Sequence, residues 1–292
     1  MISIIIISKD EPSLDDTLSQ MAQHARVLSE PSEIIVVDAS DGRLDHIRQR
    51  HSETVRWLRF DRPPGVTVSI PHQRNAGVRA AHGEIIVFTD AGCQPREGWL
   101  AHLVAPLQQG DEHVTAGVTL ASSERPGLYD NTALTTAAVR YLRECATINL
   151  AFHREAFDAV GGFDERFAYG SDIDFSWRLI DAGYLIRNVG EAVIEHDWGT
   201  WRRQVRRSYA YGKARARLYR KHRSRVKRVF RDDPVVVIYP VFLLGLPLTL
   251  IFPLYPALLL IPAWRNRSIG AVRVVVDHLI YGAGVLAELI SR

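Results

Sequence analysis

The sequence predicts an α/β fold, a Rossmann-like and mostly parallel sheet with helices on both faces, followed by C-terminal membrane-associated helices. Three observations lead there. Short apolar runs at residues 2–7, 33–38 and 84–90 alternate with segments whose apolar residues recur at helical spacing, the pattern of strands buried on both faces by crossover helices. Residues 235–263 then run for 29 positions without a charged side chain, and a helix of that length at about 1.5 Å per residue exceeds a hydrocarbon core of about 30 Å. Charge is partitioned as well: the net +3 combines 18 basic and 29 acidic side chains in residues 1–200, 14 basic and no acidic ones in 201–231, and four of each in 232–292. Three zones follow, a domain over 1–200, a basic amphipathic segment over 201–234 and a hydrophobic region over 235–292.

Residues 2–7 read as a buried strand; they lack the basic flank and cleavage site of a signal peptide. Ser13 and Asp16 have the spacing of a capping box before Leu14, Leu18, Met21, Ala25 and Leu28 on one helical face. Residues 33–38 form the next strand, 41–50 a short helix and 55–60 another strand. A helix over 71–82 stops at Gly83, and 84–90 is the third strong strand. Composition is that of a globular chain, with 47% hydrophobic and 24% charged residues. The two cysteines, Cys93 and Cys145, show no metal-binding spacing and are too few for a disulfide framework, so they read as buried thiols of a reducing compartment.

Asp38 and Asp90 fall at the C-terminal ends of predicted strands, where open α/β sheets bind ligands. The first strand is followed by neither G-x-G-x-x-G nor a P-loop, which argues against dinucleotide oxidoreductases and P-loop enzymes.

In the tail, Pro240, Pro247, Pro253, Pro256 and Pro262 interrupt the uncharged run, so one kinked span and a re-entrant hairpin are both open. Residues 269–290 keep helical apolar spacing around Arg273, Asp277, His278 and Glu288. A second span, whole or partial, is the expectation, with a surface-lying amphipathic helix as the alternative. The basic collar directly before the apolar run favours the cytoplasmic face of the cell membrane and anionic lipids rather than nucleic acid.

Six stretches in order over residues 2–196 carry a further signal: S-I-I-I-I-S-K-D-E, E-I-I-V-V-D-A-S, Q-R-N-A-G-V-R-A-A-H-G-E-I-I-V-F-T-D-A-G, N-L-A-F-H-R-E-A-F-D-A-V-G-G-F-D-E-R-F, Y-G-S-D-I-D-F-S-W-R-L-I-D-A-G-Y and V-I-E-H. Together they resemble the family 2 glycosyltransferases, inverting nucleotide-sugar-dependent enzymes of the GT-A fold. The resemblance implies hexosyl transfer from a nucleoside-diphosphate sugar to a saccharide or lipid-linked acceptor, in cell-envelope, polysaccharide or glycolipid synthesis. It implies that Ser8 and Glu11 line the nucleotide pocket, that Asp38 receives the base and that Arg74 approaches the nucleotide. Asp90 takes the first position of the D-x-D motif, His196 that of a histidine meeting the metal or diphosphate, and Asp172 that of the general base.

Ser171 and Asp174 again have capping-box spacing, which would leave Asp172 at the first helical position, outward and ionised by the helix dipole. Two positions depart from the family pattern. Gly92 stands where the second D-x-D carboxylate is usual, and Ser171 replaces the acidic residue before the base. A Mg²⁺ or Mn²⁺ ion held by Asp90 and His196 is therefore the expected cofactor, with weak metal dependence as the alternative. The same departures define a second class, a noncatalytic nucleotide-sugar-binding or scaffold protein at the membrane. A nucleotidyltransferase is disfavoured because S-K-D-E-P is not a Gly-rich, Lys-containing turn. Residues 124–149 read as an acceptor loop and helix.

Overall fold

The computed structural model describes residues 1–122, 131–265 and 270–291. The chain divides into two compact units, Met1–Asp197 and Trp198–Arg292.

In the first unit, strand β1 (Ile2–Ser8) lies between β2 (Ser32–Asp38) and β4 (Ile85–Asp90), parallel to both, and β3 (Val55–Arg59) extends the sheet beyond β2. Alternate residues of β1 point to opposite faces, and both faces are covered. Ile2, Ile4 and Ile6 pack with Leu14, Leu18 and Met21 of α1 (Leu14–Arg26), Ile47 of α2 (Asp45–Arg50) and Trp99 of α4 (Trp99–Gln108). Ile5 packs on the other face with Val78 of α3 (Ile70–Ala80), Phe157 of α5 (Arg154–Ala159) and Phe175 of α6 (Ser171–Asp181). Continuous isoleucine and valine runs form these strands because neither face meets water.

The remaining strands are β5 (Cys93–Pro95), β6 (Val114–Ala121), β7 (Arg140–Leu142), β8 (Asn149–His153) and β9 (Ile186–His196). Among the described residues the order is β3-β2-β1-β4-β8-β6-β9-β5, with β7 on β9. The expectation of a mostly parallel sheet is corrected. β8 runs antiparallel to β4 and to β6, and β5 and β7 run antiparallel to β9, so the sheet is mixed. An apolar run buried on both faces carries no mark of direction. Strand β8 follows residues 143–148 rather than a crossover helix, so nothing forces it parallel.

Local departures have similar causes. Ser13 does not cap α1; its hydroxyl donates to Glu11 at 2.9 Å and its own backbone is helical. The helix expected over 41–50 begins only at Asp45, because Asp41 and Gly42 take positive φ angles of 51° and 83°. The carbonyls at the end of α3 are held by Arg154, which donates to Val78 O at 2.9 Å, Ala81 O at 2.7 Å and Gly83 O at 2.9 Å. Cationic side chains satisfy helix C-termini in this way.

The second unit contains α7 (Trp201–Lys221), α8 (Arg223–Val226), α9 (Val229–Asp232), α10 (Val235–Leu244), α11 (Leu260–Arg265) and α12 (Ala271–Ile290). Over 235–263, where a kinked span and a re-entrant hairpin were both open, the apolar run does not form one continuous helix. It is broken into α10, two short 3₁₀ turns at Leu246–Leu250 and Tyr255–Leu259, and α11. Pro247 and Pro256 start the 3₁₀ turns, where a missing N–H costs nothing. Among the described residues no helix is long and apolar enough to cross a membrane. Helix α12, expected as a second span, instead packs on α7. A Cβ at Gly212 would lie 2.0 Å from Tyr281 O, and one at Gly284 would lie 2.2 Å from Tyr209 O, so the two backbones touch. Buried Glu288 of α12 faces Arg217 at 2.9 Å, Arg220 at 3.5 Å and Lys213 at 3.8 Å. Part of the basic collar is therefore internal to this unit.

Candidate active site

The C-terminal ends of β1, β2 and β4 lie side by side, with Ser8 opposite Asp38 and Ile7 opposite Asp90. At a strand spacing of about 4.8 Å, the backbones of Asp38 and Asp90 stand roughly 10 Å apart across β1. Gln73 of α3 pins this edge, donating its amide to Ser8 O at 3.0 Å and Val37 O at 2.8 Å. Asp38 is buried, and its Oδ1 accepts from the Ser40 amide at 3.1 Å and the Ser40 hydroxyl at 2.5 Å. The Ser8 hydroxyl, also buried, has no hydrogen-bond partner among the described residues. Glu11 sits three residues beyond Ser8, half-buried, and accepts from Ser13.

Arg74 follows Gln73 on α3 and is buried. Its Nη1 lies 3.4 Å from Ser171 Oγ, its guanidinium carbon lies 5.6 Å from the centre of the Phe163 ring, and its Nε is buried without a partner among the described residues. Unpaired buried donors are costly in a finished fold. Ser8 Oγ and Arg74 Nε are therefore places where a polar ligand would be welcomed. Neighbouring Asn75 reaches across 88 residues of chain, exchanging hydrogen bonds with Phe163 O and Phe163 N, both at 2.9 Å.

The capping box expected at α6 is not formed. Gly170 precedes the helix in the left-handed conformation, with φ 77°, and offers no side chain. Asp174 is fully buried and pairs with Arg178 at 2.8 Å, while Arg178 also donates to Val160 O and to Gly162 O. Asp172 thus lies in the first turn of α6, half-buried, its Oδ1 accepting from Ile173 N at 2.9 Å. The expectation of an outward, readily ionised carboxylate is corrected. Burial pushes the Asp172 carboxyl up from the usual range; the Arg74 charge and the Ile173 amide pull it back, and the Asp90 charge adds to the rise. Desolvation outweighs the helix-end field here. These interactions also bring Asp172, Arg74 and Asp90 to one locality.

His196 ends β9 and pairs across the ladder with Cys93. Its Nδ1 lies 3.7 Å from Cys93 Sγ, and the same thiol is close enough to Asp90 to feel its charge and backbone. Asp90 and His196 therefore flank Cys93. Burial pushes that thiol up to about 12, so it stays protonated and is a poor ligand for a hard cation. Gly92 has φ 87° and donates its N–H to Thr17 Oγ1 at 2.8 Å, a turn that strains any residue with a Cβ. Among the described residues no group of three His, Cys, Asp or Glu side chains is placed to hold a metal ion. The pair Asp90 and His196 suits only a cation that takes its other ligands from phosphate and water.

Sequence reasoning assigned no role to Asn149 or Asn75. Asn149 is buried on β8; it accepts from the Trp99 indole at 2.8 Å and donates to Val118 O at 3.0 Å and Ala192 O at 2.9 Å. A polar residue opening an apolar strand was the available signal. Part of the acceptor segment expected over 124–149 lies outside the described residues. Its described portion contains a 3₁₀ turn at Thr132–Leu134, β7 and Thr147, whose buried hydroxyl is unpartnered.

The sequence profile of "Glycosyl transferase family 2" matches residues 3–163, and that of "Glycosyl transferase family group 2" matches residues 136–272. A pre-mycofactocin glycosyltransferase of Mycobacterium tuberculosis is 33% identical over 165 residues, covering 51% of this chain and 34% of that protein. The chain thus spans about a third of the length of that relative. The glycosyltransferase AglE of Haloferax volcanii is 25% identical over 216 residues, 68% of this chain and 67% of AglE. In fold the chain is similar to a mannosyltransferase of Pyrobaculum calidifontis solved with GDP-Man and Mn²⁺, with a TM-score of 0.66 and 19% identity over 100% of this chain and 87% of that one.

Proposed function

The chain belongs to glycosyl transferase family 2, and on that premise we propose that it transfers a hexosyl group from a nucleoside-diphosphate sugar to an acceptor hydroxyl with inversion at C1. The observation that carries this reading is the juxtaposition at the ends of β1, β2 and β4: Ser8 and Asp38 pair across strands beside Asp90, Asp172 feels the charges of Arg74 and Asp90, and Ser8 Oγ and Arg74 Nε are buried without partners among the described residues. In it, Asp38 accepts hydrogen bonds from the nucleotide base, and Ser8 and Glu11 line the same pocket. Arg74 offers its unpaired Nε to the nucleotide while its charge steadies the carboxylate of Asp172. The acceptor oxygen attacks C1 on the face opposite the diphosphate; the bond from C1 to the diphosphate breaks as the new one forms, and the acceptor proton passes to Asp172. A carboxyl raised by burial suits that role, because base strength grows as the pKa approaches the working pH.

A divalent cation would be held by Asp90 and His196 and would neutralise charge on the departing diphosphate. Support comes from the Pyrobaculum mannosyltransferase, which was solved with GDP-Man and Mn²⁺. The acceptor we propose is a saccharide or a lipid-linked sugar of cell-envelope, polysaccharide or glycolipid synthesis, at the cytoplasmic face of the cell membrane.

Thermal-shift and calorimetric titration against nucleoside diphosphates and their sugars, with and without Mn²⁺, tests the donor half. Failure of every nucleotide sugar to bind a folded preparation would sink the proposal. Gly92 and the absence of a third metal ligand among the described residues favour a second reading, a noncatalytic nucleotide-sugar-binding protein. Donor binding without transfer to any acceptor, and without effect of Asp172→Asn, would select it.

A further inference from the structure

Residues 238–264 present an apolar surface that nothing else among the described residues of the second unit covers. Leu250 is 88% exposed, Leu254 82%, Ile251 71%, Leu260 68% and Phe252 63%. Monomeric proteins in water rarely leave so many large apolar side chains together. The opposite side of the segment is held. Tyr239 and Phe242 of α10 are buried, and the Tyr239 hydroxyl lies 3.1 Å from His278 Nδ1 on α12.

Helix α12 is in turn locked to α7. Besides the backbone contacts at Gly212 and Gly284, Ser208 of α7 donates to buried Asp277, and Glu288 engages three basic side chains of α7. Helix α7 carries nine Lys and Arg residues, which no hydrocarbon core accepts. The elements before and after the apolar segment therefore belong to one water-facing body. On the chain before it, Arg223, Lys227 and Arg228 are exposed, as are Val226 among them and Phe230 just after.

We infer that residues 238–264 form a monotopic anchor, a wedge that enters one leaflet of an anionic phospholipid bilayer while Arg223, Lys227 and Arg228 meet the headgroups and α12 stays on the same side as α7. The occupant follows from the excess of exposed cations on the chain just before the apolar face, Arg223, Lys227, Arg228 and Arg231 against Asp232, which pairs with Arg231. Two copies meeting through this surface would set like charges against each other, whereas anionic headgroups neutralise them. Prolines that break a spanning helix suit a wedge, whose backbone groups stay near water. The inference rests on the membrane placement proposed above. Its test involves no sugar transfer, so its failure leaves the proposed reaction standing.

The full chain is floated with vesicles of equimolar phosphatidylglycerol and phosphatidylcholine, or of phosphatidylcholine alone, at low and high salt. Co-flotation with the anionic vesicles, weakened by salt and weak on neutral ones, is expected. Leu250→Glu with Leu254→Glu lowers the partition coefficient about tenfold or more, and changing Arg223, Lys227 and Arg228 to Gln lowers it roughly fivefold per charge. An unchanged nucleotide-dependent thermal shift verifies that these variants fold, and the lipid and salt dependence of the unmodified chain needs no variant. Ser291→Cys reports topology, since Cys93 and Cys145 are buried. In the vesicle-bound protein it reacts fully with an impermeant maleimide added outside. Equal binding to neutral vesicles, no binding at all, protection of Ser291→Cys by intact vesicles, or a solution dimer that the Leu250/Leu254 variant dissolves would each overturn the inference.

Discussion

Replacing Asp172 by Asn changes one oxygen for nitrogen in the first turn of α6 and leaves the fold's contacts in place, because an Asn carbonyl can still accept from Ile173 N. Transfer should fall by about 10²–10⁴-fold, the usual contribution of a general base, equivalent to roughly 3–5 kcal/mol of transition-state stabilisation. Donor affinity should be retained, since Asp172 handles the acceptor proton. Stability should move the other way. The folded carboxyl titrates above its unfolded value, so its stabilising contribution is complete below the unfolded pKa and is lost as pH rises through the folded one. Wherever the pH exceeds the raised folded pKa the wild type carries a charge that burial disfavours and the variant lacks, so Asp172→Asn should melt at an equal or higher temperature, the difference shrinking on acidification. Single-turnover transfer, calorimetric donor titration and melting curves at several pH values read the three effects. Transfer above a tenth of wild type, or a joint loss of donor binding and melting temperature, would refute the assignment of Asp172 as base.

The remaining predictions use the neighbours of that carboxylate. Arg74→Met removes a charge that lowers the Asp172 pKa, so the ascending limb of the pH–rate profile should shift to higher pH; an unmoved limb would separate the two residues. Asp90→Asn and His196→Ala should each raise the Mn²⁺ concentration needed for half-maximal transfer, while Cys93→Ser should not, in metal titrations of purified protein. Asn149→Ala leaves the Trp99 indole and two buried carbonyls without partners, which should cost about 3 kcal/mol or more at roughly 1–3 kcal/mol per unpaired group. A urea unfolding series giving less than about 1 kcal/mol would contradict that count.

What the sequence made legible follows from what burial does to a chain. Strands β1, β2 and β4 were readable because residues packed on both faces must all be apolar, and their C-terminal carboxylates followed. Direction was not readable, since Asn149–His153 has the same composition whether it runs with β4 or against it. Both capping boxes failed for a local reason coupled to a distant one. Ser13 found Glu11 beside it, and Asp174 found Arg178, itself fixed by the turn at Val160 and Gly162. The candidate site was read from motif positions, and the contacts that hold its elements come from far away in sequence. Arg154 closes α3 from 71 residues downstream of Gly83, and Asn75 meets Phe163 across 88. The proline-rich tail was read as long enough to span, as a kinked helix or a re-entrant hairpin; the prolines limit each helical piece, and among the described residues no helix is long and apolar enough to cross a membrane.

The turn near Gly162 is gripped from both sides, by Asn75 of α3 and by Arg178 of α6. One helix carries Arg74 and the other Asp172, so a shared clasp fixes the reach between the two residues that the proposed reaction assigns to donor and base. The 3₁₀ turn at residues 132–134 and strand β7 take no part in that clasp. If the proposed acceptor segment lies there, acceptor choice can drift, or be swapped by an engineer, without retuning the spacing of Arg74 and Asp172: that distance is built into the frame.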